Sequence, residues 1–158
     1  MHRIMFVCHG NICRSPMAEF VMKKLVKDRG LEKEFYIASA ATHTDEIWNG
    51  TGSPIYPPAR EQLIKNSVPF DENKRATLLK KDDWGKYDLF VCMDGENIRS
   101  MQRIFGSDNG KKCVKLLSFT NDSRDVSDPW YTRDFGTAYD DIYNGCNALI
   151  DYLTEEMK

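Results

Sequence analysis

The stretch VCHGNICRSP, Val7–Pro16, decides how the rest of the chain is read. It starts inside a short apolar run, RIMFVC (3–8), with the length and composition of a buried strand. It ends at Ser15-Pro16, a favourable helix opening with serine as N-cap and proline at the first helical position. Between Cys8 and Arg14 lie five residues. A strand-to-helix loop leaves the first N–H groups of the helix without intrahelical partners, and these carry the positive end of the helix dipole. Gly10, together with Asn11, which tolerates positive φ, lets such a loop curl until successive N–H groups converge on one anion. Arg14 adds a planar fork suited to two oxyanion atoms. The expected product is a cradle for a tetrahedral oxyanion with the Cys8 sulfur at its floor.

The same field acts on the thiol. A cysteine at a helix N-terminus and beside an arginine ionises well below its free pKa of about 8.5. Ser15 can favour the thiolate further by donating a hydrogen bond. A thiolate facing a bound phosphate is poised for in-line attack. The chemistry this predicts is cleavage of a phosphate monoester through a phosphocysteine. Arg14 and the loop amides would stabilise the equatorial oxygens of the transition state.

Outward from this loop the chain alternates strand and helix. Ala18, Val21, Met22, Leu25 and Val26 form one apolar helix face, with Gly30 as its stop. EFYIASAAT (34–42), YDLFVCMD (87–94) and CVKLLSF (113–119) read as further strands. AREQLIKN (59–66) is a short helix after Pro58, and Ile98, Met101 and Phe105 mark another that ends at Gly106. Phe135, Tyr139, Ile142, Tyr143, Cys146, Leu149, Ile150 and Leu153 trace one face of a long C-terminal helix. Residues 43–58 and 120–134 are polar and read as long loops. Strands separated by helices, and apolar throughout, predict a parallel sheet covered on both faces within one domain spanning 1–158. Ligands of such folds sit beyond the carboxyl ends of the strands. Cys8 and Asp94 fall at two such ends and Asp128 follows the last strand by a loop. Asp94 reads as a cap for the helix after it.

Composition narrows the function. With 22 Lys+Arg against 24 Asp+Glu the net charge is −2, which argues against a general nucleic-acid binder. Apolar stretches fall short of a membrane span, and the N-terminal run is too short for a signal peptide, so a cytoplasmic protein is expected. Five cysteines, an odd number without framework spacing, fit a reducing compartment. Cys92, Cys113 and Cys146 lie in apolar patterns and read as core. Cys8, His9 and Cys13 lack the second ligand cluster that a zinc site needs.

Phosphoryl transfer also needs an acid for the leaving oxygen and a base for water. His2 precedes the first strand, His9 adjoins the nucleophile and points out of the cradle, and His43 lies in a loop. Asp128 in DPWY is the better candidate. Proline holds it extended, and Trp130 and Tyr131 can exclude water from it.

VCHGNICRSPMAE, CMD at 92–94, the distant DPWY and the terminal helix together resemble the low-molecular-weight protein tyrosine phosphatase family over nearly the whole chain. The resemblance implies a single three-layer α/β domain with a four-stranded parallel sheet. It implies Cys8 as nucleophile, Arg14 as phosphate binder and Asp128 as general acid, then base. The phosphate-binding loop would be His9, Gly10, Asn11, Ile12, Cys13, Arg14 and Ser15, with Asn11 and Ser15 shaping it and His9 tuning preference. Cys13 would match the family's second cysteine, able to pair reversibly with Cys8 under oxidation. Trp48, Trp130 and Tyr131 would wall the site against a phenyl ring. Neither metal nor cofactor is required, and a monomer acting on phosphotyrosine proteins or small aryl phosphates is expected, without nucleic acid or membrane. The family's usual histidine aligns with Asn73 in FDENKRA, where it supports the loop asparagine through a serine that Ser39 matches. Three other activities compete: arsenate reduction on the same scaffold, which needs a relay pair of cysteines near residues 80–95 where only Cys92 falls; phosphoarginine hydrolysis, influenced by Ile12; and non-catalytic phosphopeptide binding, which would need neither nucleophile nor acid.

Overall fold

The first strand, β1 (His2–Cys8), buries both of its faces. Ile4, Phe6 and Cys8 point into one apolar cluster, and Met5 and Val7 into another. A continuous apolar run is therefore what this strand needs. The computed structural model describes residues 1–106 and 111–156. After β1 the chain runs through α1 (Arg14–Asp28), β2 (Phe35–Ala41), β3 (Ile47–Trp48), β4 (Thr51–Gly52), α2 (Pro57–Lys65), β5 (Leu89–Cys92), α3 (Gly95–Phe105), β6 (Cys113–Lys115), α4 (Pro129–Thr132) and α5 (Phe135–Glu156).

Four strands form a parallel sheet in the order β2-β1-β5-β6, with Cys8 opposite Ala41 and Val7 opposite Cys92. One face is covered by α1 and α5, whose Met17, Val21, Met22, Ile142, Leu149 and Leu153 join the larger cluster. The other face carries Phe90 and Cys92 against Met101 of α3 and Trp84 of a 3-10 turn. The result is the expected three-layer α/β domain, and each fully buried aliphatic side chain contributes about 1.5–3 kcal/mol to it. Among the described residues no helix is long and apolar enough to cross a membrane.

Several expected boundaries move, each for a physical reason. Helix α1 starts at Arg14 with Cys13 as its cap residue, not at Pro16 with Ser15 as cap. The Ser15 hydroxyl is engaged by Cys8 and Asn11 instead. Pro16 then occupies the third helical position, where its missing N–H belongs to the unpaired first turn anyway. The last strand ends at Lys115, because 116–119 coil into a 3-10 turn that swings Leu116 and Leu117 into the core. The loop at 43–58 contains a small antiparallel ladder, Ile47–Trp48 with Thr51–Gly52. Its turn, Asn49-Gly50, has φ of 51° and 82°, the Asn-Gly preference of a tight hairpin. Tyr143, expected on the buried face of α5, is exposed. The stops at Gly30 and Gly106 hold, both with positive φ.

Candidate active site

From β1 the chain passes to β2 on one side of the sheet and later to β5 on the other. The crevice opened by that reversal lies at the carboxyl ends of β1 and β5. Cys8 closes one strand and Asp94 follows the other. The loop before α4 is stitched across the crevice by the Val126 N–H, which donates to the Met93 carbonyl at 2.9 Å. A cavity of about 370 Å3 opens there, lined by Cys8, His9, Gly10, Ile12, Cys13 and Arg14 from one loop and by Asp94, Asp128, Trp130 and Tyr131 from the far side. Residues from both ends of the chain thus meet at one sheet edge, as the sequence predicts.

The cradle is built around Asn11, which has φ of 58° and is buried. Its Oδ1 accepts from the Thr77 N–H at 3.0 Å, which fixes the orientation of the amide. Its Nδ2 therefore donates to Ser15 Oγ at 2.7 Å and to Ser39 Oγ at 3.0 Å. Ser15 Oγ lies 3.0 Å from Cys8 Sγ. Ser15 Oγ accepts from Asn11 and keeps one proton and one lone pair, so it can pair with a Cys8 thiol as acceptor or with a thiolate as donor. The Asn11 backbone N–H donates to the same sulfur at 3.3 Å. The Asn11 N–H and the Ser15 hydroxyl are thus the two polar partners of the Cys8 sulfur. Asn11 and Ser15 act from beneath the cavity and do not line it.

Arg14 is almost wholly enclosed, with 3% of its side chain exposed. Nη1 donates to Asp94 Oδ2 at 2.7 Å and to the Val126 carbonyl at 2.8 Å. Nη2 lies 3.5 Å from Asp128 Oδ2. Burial alone would favour the neutral form, but Cys8, Asp128 and Asp94 outweigh it and raise the pKa of Arg14. The guanidinium is a fixed charge with one nitrogen anchored and the other turned toward Asp128. Asp94 divides its carboxylate: Oδ1 caps α3 through the Asn97 N–H at 2.8 Å and Oδ2 holds Arg14. Its reading as a cap holds, and it is a member of the site as well.

Asp128 is the cap residue of α4, with Oδ1 accepting from the Trp130 N–H at 3.0 Å. Its other oxygen faces Arg14 and the cavity. Trp130 and Tyr131 line that cavity, whereas Trp48 does not: it is 69% exposed on the β3–β4 hairpin, whose tight turn carries it outward. On that side the wall is supplied by Asp45 and Glu46 instead. His9 points away from the sulfur, its Nε2 2.6 Å from Asp45 Oδ2 and its ring stacked on His43 at 4.0 Å. Burial, and then His9, push His43 down from its ordinary value.

Cys13 lines the cavity as well, but burial and then the Cys8 and Asp128 charges push its thiol far up. It is a protonated neighbour of Cys8 in the cavity wall. Burial likewise pushes up Cys92 and Cys146, and Cys113 is buried too. Among the described residues no cluster of His, Cys, Asp and Glu side chains is arranged to hold a metal ion.

Asn73 does not support the loop: it is exposed, and its N–H turns back to Asp71 Oδ1. The residue behind Ser39 is Lys74, whose Nζ lies 3.3 Å from the Ser39 carbonyl. Glu19, one turn into α1, accepts from Ser39 Oγ at 2.5 Å. Sequence reading passes over Glu19 and Lys74 and reads Asp94 as a cap alone. Only Asp94 carried a signal, as a carboxylate at the carboxyl end of a central strand.

The low molecular weight phosphotyrosine protein phosphatase family model matches residues 3–158. A low molecular weight protein-tyrosine-phosphatase, PtpA, of Staphylococcus aureus is 36% identical over 154 residues, 97% of this chain and 94% of that protein. The crystal structure of YfkJ from Bacillus subtilis superposes with a TM-score of 0.92 at 33% identity, covering 100% of this chain and 98% of that one. The low molecular weight protein tyrosine phosphatase SP-PTP from Streptococcus pyogenes gives 0.84 at 32% identity, over 100% and 95% of the two chains.

Proposed function

The chain belongs to the low molecular weight phosphotyrosine protein phosphatase family, and from that premise we propose how its own residues hydrolyse an aryl phosphate. The observation that carries the proposal is the convergence of Cys8, Arg14 and Asp128 on one cavity, with Arg14 Nη2 3.5 Å from Asp128 Oδ2. The phosphate sits in the cradle on the N–H groups of the loop and on Arg14. Cys8 Sγ attacks phosphorus opposite the ester oxygen, so that an S–P bond forms as the P–O bond breaks. Asp128 gives its proton to the departing phenolic oxygen. The carboxylate it becomes then takes a proton from water as that water attacks phosphorus. The S–P bond breaks, releasing inorganic phosphate and restoring the thiolate. Arg14, held by Asp94 and the Val126 carbonyl, keeps its charge on the equatorial oxygens through both transition states.

Ile12, Trp130 and Tyr131 around the cradle favour a flat aromatic leaving group. Phosphotyrosine reaches the sulfur across such a wall, whereas the short side chain of phosphoserine does not. Cys13, next to the nucleophile and protonated, is placed to take up an oxidised Cys8 as a disulfide. Relay of a disulfide outward, as arsenate reduction requires, has little support, because Cys92 is buried within β5. The test is hydrolysis of an aryl phosphate, without added metal and with reductant, by wild type and Cys8→Ser. Turnover that disappears in Cys8→Ser supports the proposal. A wild type that reduces arsenate but releases no phosphate, or that only binds phosphopeptide, overturns it.

A further inference from the structure

The acid loop leaves the cavity through a backbone conformation that most side chains avoid. Arg133 closes the single turn α4, its N–H donating to the Pro129 carbonyl at 2.8 Å, with φ of 59°. That is the left-handed region, which glycine or asparagine enters at less cost than arginine. A chain that needed only a stop for α4 would be served better by glycine. Backbone strain beside a functional site calls for a reason in the side chain it carries.

The Arg133 side chain supplies one. Its guanidinium carbon lies 5.7 Å from the Trp130 ring centre, 5.8 Å from that of Tyr56 and 5.8 Å from that of Phe135. Nη2 donates to the Tyr56 hydroxyl at 3.2 Å. Planar stacking combined with a directed donor suits arginine and not lysine. Tyr56 in turn meets Trp130, with ring centres 5.1 Å apart. Tyr56 is itself fixed: its N–H donates to the Ile12 carbonyl of the cradle at 2.9 Å, and its ring packs against the core. Ile12 and Trp130 line the same cavity from its two sides. One residue, Tyr56, therefore spans cradle and wall, and Arg133 holds the wall to it.

We propose that Arg133 is a positioning residue for the substrate: with Tyr56 it fixes the Trp130 indole relative to the phosphate cradle, and so favours phosphate carried on a flat ring. The proposal rests on Trp130 as the wall for the aryl group. An indole that is 48% exposed on a four-residue turn would have to be ordered on meeting a ring, and that ordering weakens binding. The clamp removes the cost before the substrate arrives. Inorganic phosphate occupies the cradle alone and gains nothing from the clamp.

The test separates ring from phosphate. Binding of benzylphosphonate and of inorganic phosphate is measured by calorimetry for wild type, Arg133→Gly, Tyr56→Phe, Trp130→Ala and the Arg133→Gly, Trp130→Ala double variant, with circular dichroism checking the fold. Arg133→Gly should bind benzylphosphonate about five-fold more weakly and inorganic phosphate as wild type does. Tyr56→Phe, which deletes only the hydroxyl, should lose about two-fold for benzylphosphonate. Adding Arg133→Gly to Trp130→Ala should weaken binding no further, because Arg133 acts through the indole. In turnover, Arg133→Gly should raise KM for an aryl phosphate with kcat little changed. An Arg133→Gly that binds benzylphosphonate like wild type, one that loses inorganic phosphate equally, or losses that add in the double variant overturn the proposal. Absence of phosphatase turnover in the wild type is a separate failure, that of the proposed reaction, and the binding comparison still decides for or against Arg133.

Discussion

The nucleophile loop and the acid loop face each other across one cavity but are held in different ways. Around Cys8 the polar atoms are buried and partnered: Asn11 alone engages Thr77, Ser15, Ser39 and the sulfur. The acid loop is fastened at Val126, whose N–H and carbonyl bind Met93 and Arg14. Beyond that point Trp130 and Tyr131 are exposed, and Asp128 relies on its cap bond and on Arg14. A tetrahedral anion and its attacking atom require fixed geometry, so one side is built like a core. In the proposed reaction the proton donor meets leaving groups of different shape, which suits the lightly tethered edge on the other side.

Arg14 joins the two sides, and its replacement should have the largest effect. Arg14→Lys cannot keep the Asp94 and Val126 anchors while presenting two donors to phosphate, so kcat should fall about 10³-fold. Steady-state kinetics on an aryl phosphate would show this; retention of most activity would mean that the guanidinium does not bridge the sites. Asp128→Asn should lower kcat about 10²-fold for a poor phenol leaving group and much less for an acidic phenol that needs no proton. An equal loss for both would remove Asp128 from the proton's path.

Stability should divide the loops the other way. Asn11→Ala strands the Thr77 N–H and removes both serine bonds, at about 2–3 kcal/mol by denaturant titration. Tyr131→Ala, at a position 81% exposed, should stay within about 0.5 kcal/mol of wild type while KM for an aryl phosphate rises. Comparable destabilisation by the two would erase the contrast. The smallest effect concerns His43, stacked on His9. Its folded-state value lies below the unfolded one, through burial and then His9. The neutral ring therefore stabilises the fold above about pH 6.5, and this is lost as pH falls through the folded value. His43→Gln should narrow the gap in melting temperature between about pH 7 and about pH 5 relative to wild type.

The same contrast explains what the sequence made legible. The cradle is local: strand end, glycine, positive-φ asparagine, arginine and helix start lie within one short stretch, so its chemistry shows in order along the chain. The parallel sheet follows from apolar strands spaced by helices. What supports the cradle is tertiary. Glu19 reads as an ordinary helix acid and Lys74 as a surface lysine until β2 carries Ser39 between them. Asp94 signals one task as a cap and performs a second only because the crevice brings Arg14 beside it. Trp48 shows the opposite error, an aromatic in the right loop that a two-residue hairpin turns outward. The Asn49-Gly50 pair was the available signal.

The central claim is that phosphate passes through the Cys8 sulfur. Turnover of an aryl phosphate should be quenched in acid within the first catalytic cycles and the protein mapped by mass. The account predicts a phosphoryl group on the peptide that carries Cys8, formed in step with the first phenol released and missing in Cys8→Ser. Steady phenol release with no phosphorylated peptide, from an enzyme that survives Cys8→Ser, would contradict it.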